Sequence, residues 1–355
     1  MEKNLTIVVP TYNMERYLNR CLDSLIVPAE LMERLEVLVI NDGSKDRSSE
    51  IAHSYEEKYP QTFRVIDKEN GNYGSCVNRG LKEAQGKYIK ILDADDWFDT
   101  ENFEILLKTL HSIDADCIMT DMQQVNVDGT AVCTCNYSLP KKQTFSLGEL
   151  IRLNSTELIW MHCVTYRTDN LRAIDYRQTE GISYTDQEWI FLPMATCKTV
   201  YYLPVTVYKY LVGRDGQTMN HDVFKKNFWQ EIKGTINMTT ELGHYENGDD
   251  VAYAYLAKRL LGRSMVCYGT FLERYQMGTC YEEMVALDQA LKTYVPDLYK
   301  ELEAMYRLNP FKSNRRFCID FPRLWVILVW IWRKKRFPKQ MPLIQRFLRM
   351  KNHNR

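Results

Sequence analysis

Short apolar, β-branched runs alternate with helical periodicity over the first hundred positions. Leu5–Pro10 (LTIVVP) and Leu35–Ile40 (LEVLVI) read as buried strands, the first stopped by proline. Between them Leu18, Cys21, Leu22 and Leu25 recur at three- and four-residue spacing, one face of a helix. A second helix is predicted over Ser48–Tyr59 with Asp46 as its N-cap, and a third over Cys76–Ala84. Phe63–Asp67 and Lys87–Leu92 supply a third and a fourth strand. This alternation predicts right-handed βαβ units and a parallel sheet covered on both faces. Such sheets bind ligands outside the carboxyl ends of their strands. Thr11-Tyr12-Asn13, Asn41-Asp42-Gly43 and Asp93 to Asp96 fall at those ends.

Further along, Asp99 is placed to cap a helix that buries Phe103, Leu106, Leu107 and Leu110. Asp116–Met122 and Ala131–Tyr137 read as strands, with Asp128-Gly129 as a hairpin turn. Residues 140–215 are mixed and 222–307 mostly helical by pattern, without an internal repeat. At 355 residues and 45% apolar content the chain can bury a full core in two or three structural units. Ten cysteines in a chain this long read as reduced core thiols, and no pair has zinc-ligand spacing. The N-terminal MEKNLTIVVPTYN has no apolar signal region or cleavage site, so a cytosolic protein is expected.

Three acids in four positions, Asp93-x-Asp95-Asp96, follow the fourth strand directly. Like charges this close are retained at modest cost when a hard divalent cation neutralises them. An acidic loop that merely ends the strand and caps the next helix fits the spacing equally well. Four motifs in order then bear on the choice: Val9-Pro10-Thr11-Tyr12-Asn13, Val39-Ile40-Asn41-Asp42-Gly43-Ser44, Glu69-Asn70-Gly71 with Asn78-Arg79-Gly80, and Tyr88 through Asp96. Together they resemble the nucleotide-sugar half of the family 2 glycosyltransferases, closely over residues 4–110 and more weakly to about 218.

The resemblance implies an α/β GT-A (Rossmann-like) nucleotide-sugar-binding domain with a mainly parallel sheet. A helical C-terminal region and a basic amphipathic tail would follow. The boundaries it suggests are 1–110 for the nucleotide-sugar half, 111–220 for the acceptor half, 221–310 for the helical region and 311–355 for the tail. It implies that Thr11, Tyr12 and Asn13 cradle the base, that Asp42 hydrogen-bonds it, and that Asn70 flanks nucleotide and sugar. Asp95, with Asp93 nearby, would hold Mn²⁺ or Mg²⁺ on the diphosphate, and Asp96 would lie nearer the donor sugar. Two positions depart from the family pattern: Val77 where relatives often carry Arg, and Thr185 where Glu usually precedes the catalytic Asp.

Asp186 matches that Asp, a general base for the acceptor hydroxyl; an ordinary first-turn carboxylate favoured by the helix dipole is the other reading. Tyr210 to Thr218 resembles a later segment that closes over the diphosphate, where Arg214 offers a planar fork of donors and Thr218 a hydroxyl. A surface arginine in a glycine-bearing loop is the other reading of Arg214. His162 and His221 lack ligand spacing and are assigned to packing or surface.

Charge changes the picture last. Lys+Arg and Asp+Glu both number 46, yet residues 311–355 hold thirteen basic residues and one acid, a tail of +12 on a body of −12. Phe321–Trp332 is apolar nearly all round and is followed by Arg333-Lys334-Lys335-Arg336. As a helix it would span about 18 Å, too short to cross a bilayer, while Trp and flanking cations suit the interface with anionic lipid. A helix packed on the acidic body is the alternative, and no nucleic-acid module accompanies the charge.

The composite expectation is an inverting, metal-dependent glycosyltransferase, peripheral on the inner face of the plasma membrane. It would move a sugar from a nucleotide-sugar, a UDP-sugar by resemblance, to a lipid-linked or oligosaccharide acceptor of a bacterial surface polysaccharide. A non-catalytic membrane-associated nucleotide-sugar-binding scaffold or sensor is the alternative.

Overall fold

The computed structural model describes residues 2–153, 159–214, 217, 221–245, 249–273 and 280–305. The basic tail and Thr218 lie outside the described residues. The chain divides into two compact units, Met1–Leu260 and Leu261–Arg355.

The first unit carries ten strands: β1 Leu5–Thr11, β2 Leu35–Asn41, β3 Phe63–Asp67, β4 Tyr88–Ile91, β5 Trp97–Phe98, β6 Cys117–Asn126, β7 Ala131–Cys135, β8 Thr144–Ser146, β9 Val164–Arg167 and β10 Thr199–Val212. Its helices are α1 Leu18–Asp23, α2 Ala29–Met32, α3 Ser48–Lys58, α4 Asn72–Glu83, α5 Thr100–Ser112, α6 Leu147–Arg152, α7 Thr168–Ala173, α8 Asp186–Trp189, α9 Leu192–Ala195 and α10 His221–Gly243. α11, Asp250–Glu273, runs across the division, and α12 Tyr281–Tyr294 and α13 Pro296–Met305 belong to the second unit.

The strands form one sheet in the order β3-β2-β1-β4-β9-β6-β10-β5, with β7 on β6 and β8 on β10. β1 lies between β2 and β4 in parallel, and β3 joins β2 in parallel. Every residue of β1 and β2 is buried, as strands covered on both faces require. The sheet is mainly parallel, but β9 enters antiparallel between β4 and β6 and so joins two parallel blocks. Its four residues, Val-Thr-Tyr-Arg, are too short and mixed a run to stand out by hydrophobicity.

Local differences from the predicted elements have identifiable causes. α4 begins four residues early, because Asn72-Tyr73-Gly74-Ser75 packs tightly without apolar periodicity. A Cβ on Gly74 would sit 2.1 Å from the Thr179 carbonyl. Asp46 is not itself the N-cap of α3; that position is Arg47. Asp46 still accepts from Ser48 N–H at 3.0 Å, and its other oxygen accepts from Glu15 N–H at 3.0 Å, tying α3 to the loop after β1. Asp99 caps α5 as expected, accepting from Asn102 N–H at 3.2 Å. β7 stops short of Tyr137, whose N–H is taken by the Tyr202 hydroxyl.

In the second unit, the buried Asp288 of α12 accepts hydrogen bonds from Tyr268 of α11 and Tyr299 of α13 at 2.9 and 3.1 Å, and pairs with Lys292. Nine cysteines among the described residues are free thiols, seven of them buried, in keeping with core use. No helix among the described residues is long and apolar enough to cross a membrane.

Candidate active site

The carboxyl ends of β1 and β2 meet through the register pair Thr11–Asn41 and the Asp42 N–H to Thr11 carbonyl bond at 2.8 Å. Thr11 is buried, with its hydroxyl turned to the Val9 carbonyl, whereas the Tyr12 ring is 46% exposed. Asn13 adopts φ +53° and accepts from Lys45 N–H at 2.8 Å, locking the turn against the loop after β2. Asp42 is almost wholly buried at the N-terminus of α4. Gly71 and Asn72 N–H donate to its two oxygens at 2.9 Å each, and Lys68 pairs with it. Asn70 is exposed and ties the same loop down by donating to the Asp42 carbonyl at 3.0 Å. Gly43 is at φ +73°, and a Cβ there would meet Asn70 N and the Lys68 carbonyl at 3.3 Å, so the two loops touch only because no side chain intervenes.

Next to β1, β4 delivers the acidic loop. Asp93 is half-buried; the Tyr73 hydroxyl donates to its Oδ1 at 2.6 Å, and His162 Nε2 stands 3.7 Å from its Oδ2. Asp95 is paired with Arg214, both side chains being mostly buried. Asp96 is fully buried and accepts from Leu211 N–H at 2.7 Å and the Tyr208 hydroxyl at 2.8 Å. The same Tyr208 oxygen accepts from Asp93 N–H at 3.1 Å. Burial, then the charges of Asp95 and Asp93, push Asp96 well above the usual carboxylate range. Its side chain therefore clamps the loop onto β10, an anchoring position rather than an open one.

Asp186 is exposed in the first turn of α8. Burial holds the Tyr73 and Tyr210 phenols protonated, and after it the charges of Asp93, Asp96 and Asp186 act on both. Tyr73 and Tyr210 thus both feel the charge of the acidic loop and of Asp186. Two residues on, Glu188 is buried and accepts from the Thr179 N–H and hydroxyl at 2.7 and 2.8 Å. Burial pushes it up to about 7; burial and Glu188 together push Glu241 of α10 up to about 8.

The donor set fits a divalent cation. Asp93, Asp96 and His162 bring ligand atoms within 4.8 Å of one another. Asp93 and Asp96 supply hard oxygens, suited to Mn²⁺ or Mg²⁺, and the imidazole tilts the set toward Mn²⁺, whereas Asp95, paired with Arg214, falls outside this group. His162 is buried with Nδ1 lacking a hydrogen-bond partner, and packs against Tyr208 and Tyr210 at 4.7 and 4.8 Å between ring centroids. Sequence reasoning left His162 to packing and did not single out Tyr73, Tyr208 or Tyr210. The alternation of Tyr208 and Tyr210 along β10, which puts both on one face, was the signal available. Lys90, at the centre of β4, is also fully buried and donates to the carbonyls of His162 and Val164 at 2.7 and 3.2 Å, which fixes the backbone that carries the imidazole.

Residues 6–172 match the model of glycosyl transferase family 2. The uncharacterized glycosyltransferase YibD of Escherichia coli is 29% identical over 233 residues, 63% of this chain and 65% of that protein. Chondroitin synthase of Pasteurella multocida is 28% identical over 239 residues, 66% of this chain and 23% of that protein. The chain spans less than two thirds of the length of such curated relatives, from 18% to 65% for two of them. Residues 1–349 of TarS from S. aureus, crystallised with UDP-GlcNAc, share the fold at a TM-score of 0.63 and 20% identity, over 92% of this chain and 89% of that one.

Proposed function

We propose, from the match of residues 6–172 to glycosyl transferase family 2, that the chain transfers a sugar, with inversion, from a UDP-sugar to an acceptor hydroxyl in surface-polysaccharide synthesis. The acceptor would be lipid-linked or an oligosaccharide. The observation that carries this reading is the acidic loop at the carboxyl end of β4, where Tyr73 holds Asp93, Arg214 pairs with Asp95 and β10 seats Asp96. UDP is favoured because a protein of the same fold was crystallised with UDP-GlcNAc.

Each residue has a task in this scheme. Tyr12 presents an exposed ring to the base, beside the turn held by Thr11 and Asn13, and Asp42 and Asn70 fix the facing loop. Asp186, exposed in the first turn of α8, takes the proton of the acceptor hydroxyl. As the acceptor oxygen bonds to the anomeric carbon, the bond to the diphosphate oxygen breaks and its electron pair leaves with the diphosphate. Arg214 offers that leaving group a fork of donors, and Thr218 is assigned a hydroxyl contact by the resemblance. Mn²⁺ or Mg²⁺ held by Asp95 and Asp93 would supply Lewis-acid charge to the same diphosphate. Asp96 keeps the acidic loop seated on β10. The tail of residues 311–355 would attach the protein to the anionic inner face of the plasma membrane.

A panel of UDP- and GDP-sugars with manganese tests the reading by release of nucleoside diphosphate. Turnover with a UDP-sugar and a saccharide or lipid-linked acceptor is expected. Binding without turnover across the panel and a range of acceptors would leave a nucleotide-sugar-binding scaffold.

A further inference from the structure

Asp95 is assigned to the cation, yet in this structure it is taken. Arg214 Nε donates to Asp95 Oδ2, and the two side chains are 13% and 12% exposed. A guanidinium on Asp95 Oδ2 and a dication bound about 2.1 Å from the same carboxylate repel each other and divide its charge between them. A mostly buried guanidinium leaves a carboxylate more readily when a second anion receives it. The only new anion the proposed reaction brings is the diphosphate, for which a planar fork of donors is well matched. The guanidinium also lies 5.6 Å from the Tyr17 ring, a face on which it can rest without its carboxylate.

We propose that Arg214 is an exchangeable counter-ion that closes Asp95 to the divalent cation until a nucleoside diphosphate draws the guanidinium away. This inference rests on the reading of Asp95 as a metal ligand. Its consequence is ordered assembly: the cation alone binds weakly, and cation and diphosphate strengthen each other. By linkage the strengthening is the same factor in both directions, roughly 5- to 150-fold for an ordinary coupling of two sites.

Manganese binding followed by the EPR signal of free Mn²⁺, with and without UDP, tests it on the full chain. Arg214→Gln is expected to tighten Mn²⁺ binding in the absence of UDP by roughly 5-fold or more, while weakening UDP. Arg214→Lys, which retains a cation, should leave Mn²⁺ alone bound as weakly as in the wild type, and serves if the Gln variant does not fold. Arg20→Gln controls for loss of a nearby positive charge, because Arg20 donates to the Asp95 main-chain carbonyl at 3.1 Å and not to its carboxylate. If Arg214→Gln leaves Mn²⁺ affinity unchanged, or Arg20→Gln raises it equally, the exchange is wrong. Asp95→Asn separates the two ideas: if it binds Mn²⁺ with UDP as tightly as the wild type, the metal assignment itself fails.

Discussion

The Tyr73 hydroxyl reaches Asp93 Oδ1 at 2.6 Å, so the first helical turn after the Asp42 loop also holds the carboxylate that ends the fourth strand. One side chain thereby joins the nucleotide loop to the acidic loop. A hydrogen bond to a charged acceptor contributes about 1.5–3 kcal/mol. Tyr73→Phe should therefore lower the melting temperature by about 3–12 °C and, by loosening Asp93, lower kcat about 10- to 100-fold. An unchanged kcat would mean that Asp93 is held well enough without it.

Asp186→Asn should bind UDP with wild-type affinity and lose transfer by about 10²- to 10⁴-fold, the usual contribution of a general base. Equilibrium UDP binding and nucleoside diphosphate release on the same preparation check both halves. A variant that transfers at near the wild-type rate removes Asp186 from the mechanism.

Glu188 and Glu241 give the first unit a pH signature. Both folded-state carboxyls titrate above the ordinary glutamate value, near 7 and 8. The folded chain therefore holds more protons than the unfolded chain between about 4.5 and 8. Stability contributed by the pair is present in full below about pH 4.5 and is lost as pH rises through 7 to 8. The groups that face the pair are the Thr179 N–H and hydroxyl, Lys233, whose charge favours ionised Glu188, and the Tyr176 phenol. Thermal melts from pH 5 to 8.5 should show a falling midpoint worth a few kcal/mol, and Glu188→Gln should flatten the slope. A wild-type midpoint that does not fall over this range contradicts the burial of the two acids.

Removing residues 311–355 should move the protein from the membrane pellet to the supernatant after cell fractionation. Vesicles containing anionic lipid should bind the full chain and not the shortened one, and salt should weaken that binding. Equal fractionation of the two proteins would return the tail to the surface of the body.

Much of the donor half was legible because it is local. Burial on both faces leaves unbroken apolar runs, so β1 to β4 stood out, and the polar residues that end them could be placed without knowing the rest of the chain. The central seam was not legible. β9 is four residues long, and its antiparallel entry depends on what lies on either side of it. The surroundings of the acidic loop were hidden for a related reason. His162, Tyr208, Leu211 and Arg214 reach Asp93, Asp95 and Asp96 from positions some 70 to 120 residues away, and only Arg214, through the resemblance of its segment, was singled out beforehand. Asp96 shows the effect most plainly. The resemblance implied for it a place nearer the donor sugar, whereas its burial and its two β10 partners make it the loop's anchor.

That anchor has a consequence for synthesis on the ribosome. Asp96 waits 112 residues for the Tyr208 hydroxyl and 115 for the Leu211 amide, so a nascent chain ending near residue 172 exposes the whole nucleotide loop but cannot seat the acidic one. Non-local closures of this kind form late and slowly. A fragment cut at the limit of family similarity would lack both β10 partners of Asp96, and the acidic loop should seat only when β10 is complete.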